Sequence, residues 1–214
     1  MSVNILKSIH WLHHSSFRIE AGNKVIYIDP FKIKDTVPAD YIFVTHGHFD
    51  HFSINDIDAI IKDSTVIICP EQVAKELKGY NNIKKVKPGD VLELDGIKCE
   101  AVPSYNIEKN FHPKSEENTG FIIQIQGTRI YHAGDTDYLP QMNELRDITV
   151  ALMPVAGTYT MDAKQAAEAV NAFKPKIAIP MHYGEIVVGD EKDAEEFKKL
   201  VKDPVKVEIL KEEG

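Results

Sequence analysis

The chain has 214 residues, 43% hydrophobic and 27% charged, which is enough for one domain with a sizeable core. Its net charge of -8 argues against nucleic acid as a partner, because phosphate binding needs a basic face. No apolar run reaches membrane-spanning length, and Met1-Ser2-Val3-Asn4 lacks a basic region leading into an apolar core, so no membrane partner is expected and the cytoplasm is the default location.

Asn4 to Ile9 reads as an opening strand. Phe17 to Glu20 and Lys24 to Asp29 follow as strands joined by a hairpin turn at Gly22-Asn23. Tyr41 to Val44 is a continuous apolar run, the mark of a buried strand. Ser53 opens a helix in which Ile54, Ile57, Ile60 and Ile61 recur at helical spacing. Thr65 to Cys69 is a parallel-type strand, followed by a helix from Pro70-Glu71 to about Lys78-Gly79. Lys84 to Val86, Val91 to Leu94 and Ile97 to Val102 read as strands, with Asp95-Gly96 a strong hairpin signal. A long polar segment, Pro103 to Asn118, then intervenes; loops of this length are usually functional or disordered.

Strands resume at Phe121 to Ile125 and Arg129 to Tyr131, around a turn at Gly127. Val150 to Val155 is a core strand. Asp162 to Phe173 is an amphipathic helix, Ile177 to Pro180 a strand, Asp190 to Val201 a helix and Val205 to Leu210 a closing strand. Alternating strands and helices are an α/β signature. Two halves are visible, each beginning with meandering strands and ending with strand-helix units. No residue-level repeat or linker divides them, so residues 1–214 are read as a single domain. Cys69 and Cys99 lie in apolar, strand-like runs and are expected as buried thiols rather than a disulfide.

Chemistry concentrates in Thr45-His46-Gly47-His48-Phe49-Asp50-His51. Neutral imidazole is a common ligand for zinc and other first-row metals. In an extended segment alternate side chains share a face, so His46 and His48 can converge on one ion. Asp50 and His51 come after the chain has turned and can address a second. Histidines outside this stretch are more often packed or exposed than ligating; His10 and His13 are read as structural.

His46-x-His48-x-Asp50-His51 resembles the signature of the metallo-β-lactamase superfamily. His14-Ser15-Ser16-Phe17, Ile28-Asp29-Pro30, Tyr131-His132-Ala133-Gly134-Asp135-Thr136 and Pro180-Met181-His182-Tyr183-Gly184 resemble its lactonase-like branch, which includes the L-ascorbate-6-phosphate lactonases. The resemblance implies a four-layer αββα sandwich with a dinuclear site at one edge of the paired sheets. It implies that Asp135 bridges two ions, that His182 is the last ligand, and that Asp29 helps hold the metal-loop histidines. From sequence alone, Asp29 before a proline is as well read as a turn residue. His14 lies in a matching stretch and is a candidate outer partner. His132 is read as an outer partner or packing.

One ion then takes His46 and His48; the other takes Asp50, His51 and His182. The family gives the first ion a third imidazole from the loop after the strand ending near Val102, yet this chain has Pro103-Ser104-Tyr105-Asn106 there. His112, reaching back from the long loop, is favoured as the replacement; a weakly held ion or coordination by the Asn106 amide oxygen are the alternatives. The cofactor expected is a divalent metal, one or two ions, zinc first with manganese or iron open.

A metal-bound hydroxide is the expected nucleophile, with Asp50 orienting the water or shuttling its proton. Tyr105, Asn106, Lys109, Lys114 and Tyr183 are candidates for binding an anionic substrate. The resulting expectation is a metal-dependent hydrolase acting on a small anionic ester or lactone. A phosphodiesterase on the same site, a di-iron redox protein, which usually needs a flavin partner domain, and a non-catalytic metal-binding protein are the competing readings. Homo-oligomer assembly is left open.

Overall fold

A short 3-10 turn, Ile5–Ser8, precedes the first strand, β1, at Ile9–His13. The computed structural model describes residues 5–34, 36–184 and 188–213. The expected opening strand is thus displaced toward the C-terminus, and Asn4 lies outside the described residues. The reason is pairing: Ile9 stands opposite Ile19 and Trp11 opposite Phe17, so the ladder with β2 (Ser16–Ala21) begins only at Ile9.

The chain divides into two compact units, Met1–Lys87 with Leu210–Gly214, and Pro88–Ile209. In the first, β2 turns into β3 (Lys24–Ile28) through Gly22 and Asn23, both with positive φ. That pair of left-handed residues matches the twist of a hairpin. Next come β4 (Tyr41–Phe43), helix α1 (Ile54–Ile60), β5 (Val66–Cys69), helix α2 (Glu71–Glu76) and β6 (Ile83–Lys85). They form a six-stranded sheet in chain order, antiparallel from β1 to β3 and parallel from β3 to β6. All three β4 residues are buried, as expected of a parallel strand with neighbours on both sides. Ile57 and Ile60 of α1 join Ile42, Val44, Ile67, Val73 and Leu77 in one apolar core.

The second unit holds β7 (Val91–Leu94), β8 (Ile97–Pro103), β9 (Thr119–Ile125), β10 (Thr128–His132), β11 (Val150–Pro154), helix α3 (Ala163–Phe173), β12 (Ile177–Met181), helix α4 (Glu191–Leu200) and β13 (Lys206–Val207). These seven strands make a sheet ordered β13-β12-β11-β10-β9-β8-β7, antiparallel from β7 to β10 and parallel beyond. The unit repeats the plan of the first: a meander, then parallel strands with helices. Asp162 caps α3 through a reciprocal box with Gln165, and the helix buries Ala163, Ala166, Ala167, Ala169, Val170 and Phe173. The closing strand is shorter than Val205 to Leu210, because only Lys206 and Val207 find ladder partners on β12.

Gly120 in β9 is required by close approach. A Cβ there would lie 2.7 Å from the backbone oxygens of both His132 and Ala133. Gly120→Ala is expected to destabilise the protein by about 1–3 kcal/mol, as overpacking against backbone does. It should also lower metal content, since the displaced segment leads to Asp135. A urea midpoint and metal analysis would check both, and an unchanged midpoint would contradict the close approach.

Candidate metal centre

In the first unit β4 delivers the histidine-rich loop. Thr45 follows the strand and is anchored by Asp29: its N–H donates to Oδ1 at 2.7 Å and its hydroxyl to Oδ2 at 2.7 Å. Because the hydroxyl proton goes to Asp29, the contact between Thr45 Oγ1 and His46 Nδ1, 3.0 Å, must be donated by the ring. His46 therefore carries its proton on Nδ1 and turns the Nε2 lone pair outward. His51 Nδ1 lies 2.7 Å from Asp29 Oδ2, which in the neutral ring places its lone pair on Nε2 in the same way. One buried carboxylate thus sets the tautomers of two imidazoles, one directly and one through Thr45. The turn itself closes on His48, whose carbonyl accepts from the N–H groups of His51 and Phe52.

His46 Nε2 lies 3.1 Å from His48 Nδ1. Asp50 Oδ2 is 3.3 Å from His14 Nε2 and 4.0 Å from His51 Nε2. His14 is buried at the end of β1, where the Trp11 indole N–H donates to its carbonyl. His14 and Asp29 both have positive φ. Such backbone costs about 1–3 kcal/mol per residue and gathers where side chains are aimed for function. His10 and His13 instead pair with Glu213 and Glu212 of the C-terminal segment.

In the second unit β10 leads through His132-Ala133-Gly134 to Asp135, and β12 delivers His182 immediately after Met181. His182 also has positive φ. Asp135 is buried, with Oδ2 3.0 Å from His182 Nε2 and 3.4 Å from His112 Nε2. The long loop therefore brings His112 to the carboxylate. His132 Nδ1 accepts from the Gly134 N–H and shapes the turn.

Asn106 does not aim its amide oxygen at a ligand position; that oxygen accepts from the His112 backbone N–H at 3.0 Å and lies 3.1 Å from His112 Nδ1. Lys109, an anion-binding candidate in the sequence, donates to Asp137 Oδ1 at 3.0 Å, to the Gly157 carbonyl at 2.8 Å and to the Thr160 carbonyl. Lys114 sits over the Tyr105 ring, 5.3 Å from its centroid, and Tyr183 is buried. Asp137, which the sequence reading passed over, accepts from Asn106, Ile107 and Lys109. Its only advance signal is its place two residues after Asp135 in the same acidic loop.

These distances suit metal ligation. Donors about 2.0–2.2 Å from a tetrahedral ion stand roughly 3.3 Å from one another. The separations of 3.0, 3.1 and 3.4 Å cluster around that spacing, and the donors are imidazole nitrogens and carboxylate oxygens. His51 Nε2 and Asp50 Oδ2 stand 4.0 Å apart. Cys69 and Cys99 contribute nothing: both are free and buried, and burial pushes each thiol up to about 12. Among the described residues no helix is long and apolar enough to cross a membrane.

The profile described as "Beta-lactamase superfamily domain" matches residues 8–182. The chain belongs to that superfamily and has the metallo-β-lactamase fold, an α/β sandwich. Within it the chain falls among the UPF0173 metal-dependent hydrolases. It is 37% identical over 221 residues to such a protein from Pyrococcus abyssi, covering 95% of this chain and 96% of that one. A crystal structure from Parabacteroides distasonis is 36% identical, with a TM-score of 0.85 over 96% of this chain and 93% of that chain. A metallo hydrolase from Ignicoccus hospitalis is 27% identical, with a TM-score of 0.79 over 95% and 94%.

Proposed function

We propose that the chain hydrolyses a small anionic ester or lactone at a centre of one or two divalent ions, zinc first, in the cytoplasm. His46, His48 and His112 would hold one ion and Asp50, His51 and His182 the other, with Asp135 shared between them. The observation that supports this most is in the second unit, where one Asp135 oxygen faces two imidazole nitrogens at ligand spacing. The names of the relatives, metal-dependent hydrolases, point the same way.

Ions bound there would acidify a water and polarise a carbonyl or phosphoryl oxygen. Asp50 would orient the attacking water and take its proton, with His14 Nε2 3.3 Å from its Oδ2. Asp29 and Thr45 keep the His46 and His51 lone pairs aimed throughout. With Lys109 engaged by Asp137 and two carbonyls, the anionic part of the substrate falls to Tyr105, Tyr183 and Lys114.

The test is a panel of sugar-phosphate lactones, simple carboxylic esters and phosphodiesters, assayed with protein reconstituted with one metal at a time. Turnover of the lactones and esters, abolished by a chelator and restored by metal, is expected. Turnover of phosphodiesters alone would make the chain a phosphodiesterase. Folding unaffected by metal, with no turnover on any of them, would leave a non-catalytic metal-binding protein.

A further inference from the structure

We infer that Asn106 is a positioning residue for His112, locked in orientation by Asp137 and Lys109. The inference rests on the reading of His112 as a ligand.

The orientation of the Asn106 amide follows from its partners. Nδ2 lies 3.2 Å from Asp137 Oδ1 and 2.9 Å from the Tyr159 carbonyl oxygen, both acceptors only. The opposite end faces a backbone N–H, that of His112. Only one assignment satisfies all three: nitrogen toward Asp137 and Tyr159, oxygen toward His112. His112 Nδ1 then faces an acceptor and must carry the ring proton. In the neutral ring the lone pair is then on Nε2, which points to Asp135 Oδ2 at 3.4 Å. Two electron-pair donors at that distance repel each other unless a proton or a metal cation stands between them.

Asp137 keeps Asn106 in this orientation. Its carboxylate accepts from the Ile107 N–H at 2.8 Å, from Asn106 Nδ2 and from the Lys109 ammonium, and its own N–H donates to the Tyr105 carbonyl. Lys109 balances the carboxylate's charge and ties it to the Gly157 and Thr160 carbonyls. The Asn106 N–H donates to the His112 carbonyl, so the short chain between them is closed at both ends. The relay runs Lys109, Asp137, Asn106, His112. It does for one imidazole in the second unit what Asp29 does for two in the first.

Two measurements test it, neither depending on substrate. In the metal-free protein, nitrogen-15 NMR of the imidazoles should show His112 protonated on Nδ1. Asn106→Ala should lose that preference; an Nε2 proton in the wild type would overturn the inference. Secondly, Zn²⁺ affinity is measured for Asn106→Ala, His112→Ala and the double variant, with circular dichroism confirming each fold. Asn106→Ala is expected to weaken one ion by about 10–100-fold, the usual cost of losing an outer partner, and to add nothing in the His112→Ala background. A further loss in the double variant would mean that Asn106 acts through the fold and would overturn the relay.

Should Asn106→Ala not fold, Asp137→Asn, which keeps the shape and removes the charge, should still weaken the same ion; wild-type affinity would count against the inference. If His112→Ala alone retains the full wild-type Zn²⁺ affinity, the ligand reading fails instead, whatever tautomer is found.

Discussion

Asp135→Ala is expected to lose at least one equivalent of metal and to lower hydrolysis by more than about 100-fold, the upper end of what an outer partner costs. The carboxylate oxygen that faces His182 and His112 at 3.0 and 3.4 Å goes with the side chain. The fold should survive. The local anchor of this loop is the Asp135 backbone carbonyl, which accepts from the Ser104 hydroxyl at 3.0 Å, and alanine retains it. Elemental analysis after dialysis against trace metal decides the matter. Unchanged stoichiometry with a native circular dichroism spectrum would remove the bridging role.

Asp29→Ala should behave differently, costing stability as well as metal. Asp29 is fully buried and accepts from the Thr45 N–H, the Thr45 hydroxyl and His51 Nδ1. Leaving a buried donor without its acceptor costs about 1–3 kcal/mol. Three donors share one carboxylate and can partly relax, so a loss of about 3–5 kcal/mol is expected, read as a lower urea midpoint at unchanged slope. Metal affinity should fall about 10–100-fold, because the His46 and His51 tautomers are no longer fixed. Asp29→Asn should lie between: its amide keeps one acceptor but turns a donor toward a donor. Wild-type stability in Asp29→Ala would show that the carboxylate does not organise the loop.

The contrast between the two substitutions follows from where each group's hydrogen bonds go. Asp135 directs its side chain at other candidate ligands, so its removal is felt by the ion. Asp29 directs its side chain at a backbone amide and a hydroxyl as well, so its removal is felt by the chain. His14 falls between these cases, buried, with strained backbone and one nitrogen on Asp50.

What the sequence by itself determined was whatever depends on near neighbours. β4 and β12 were legible because parallel strands with neighbours on both sides read as unbroken apolar runs. The hairpin at Gly22-Asn23 was legible from turn chemistry, and the His46 to His51 loop because its candidate ligands are contiguous. Tertiary structure decided the rest. β1 and β13 took their limits from ladder partners rather than from their own residues. Lys109 resembles a solvated or anion-binding lysine until the fold places Asp137, 28 residues away, against it. Asp137 meets Asn106 and Ile107 across separations of 31 and 30 residues. A hydrogen bond depends on a few ångströms and on direction, and spacing along a chain encodes neither once the partners lie on different loops.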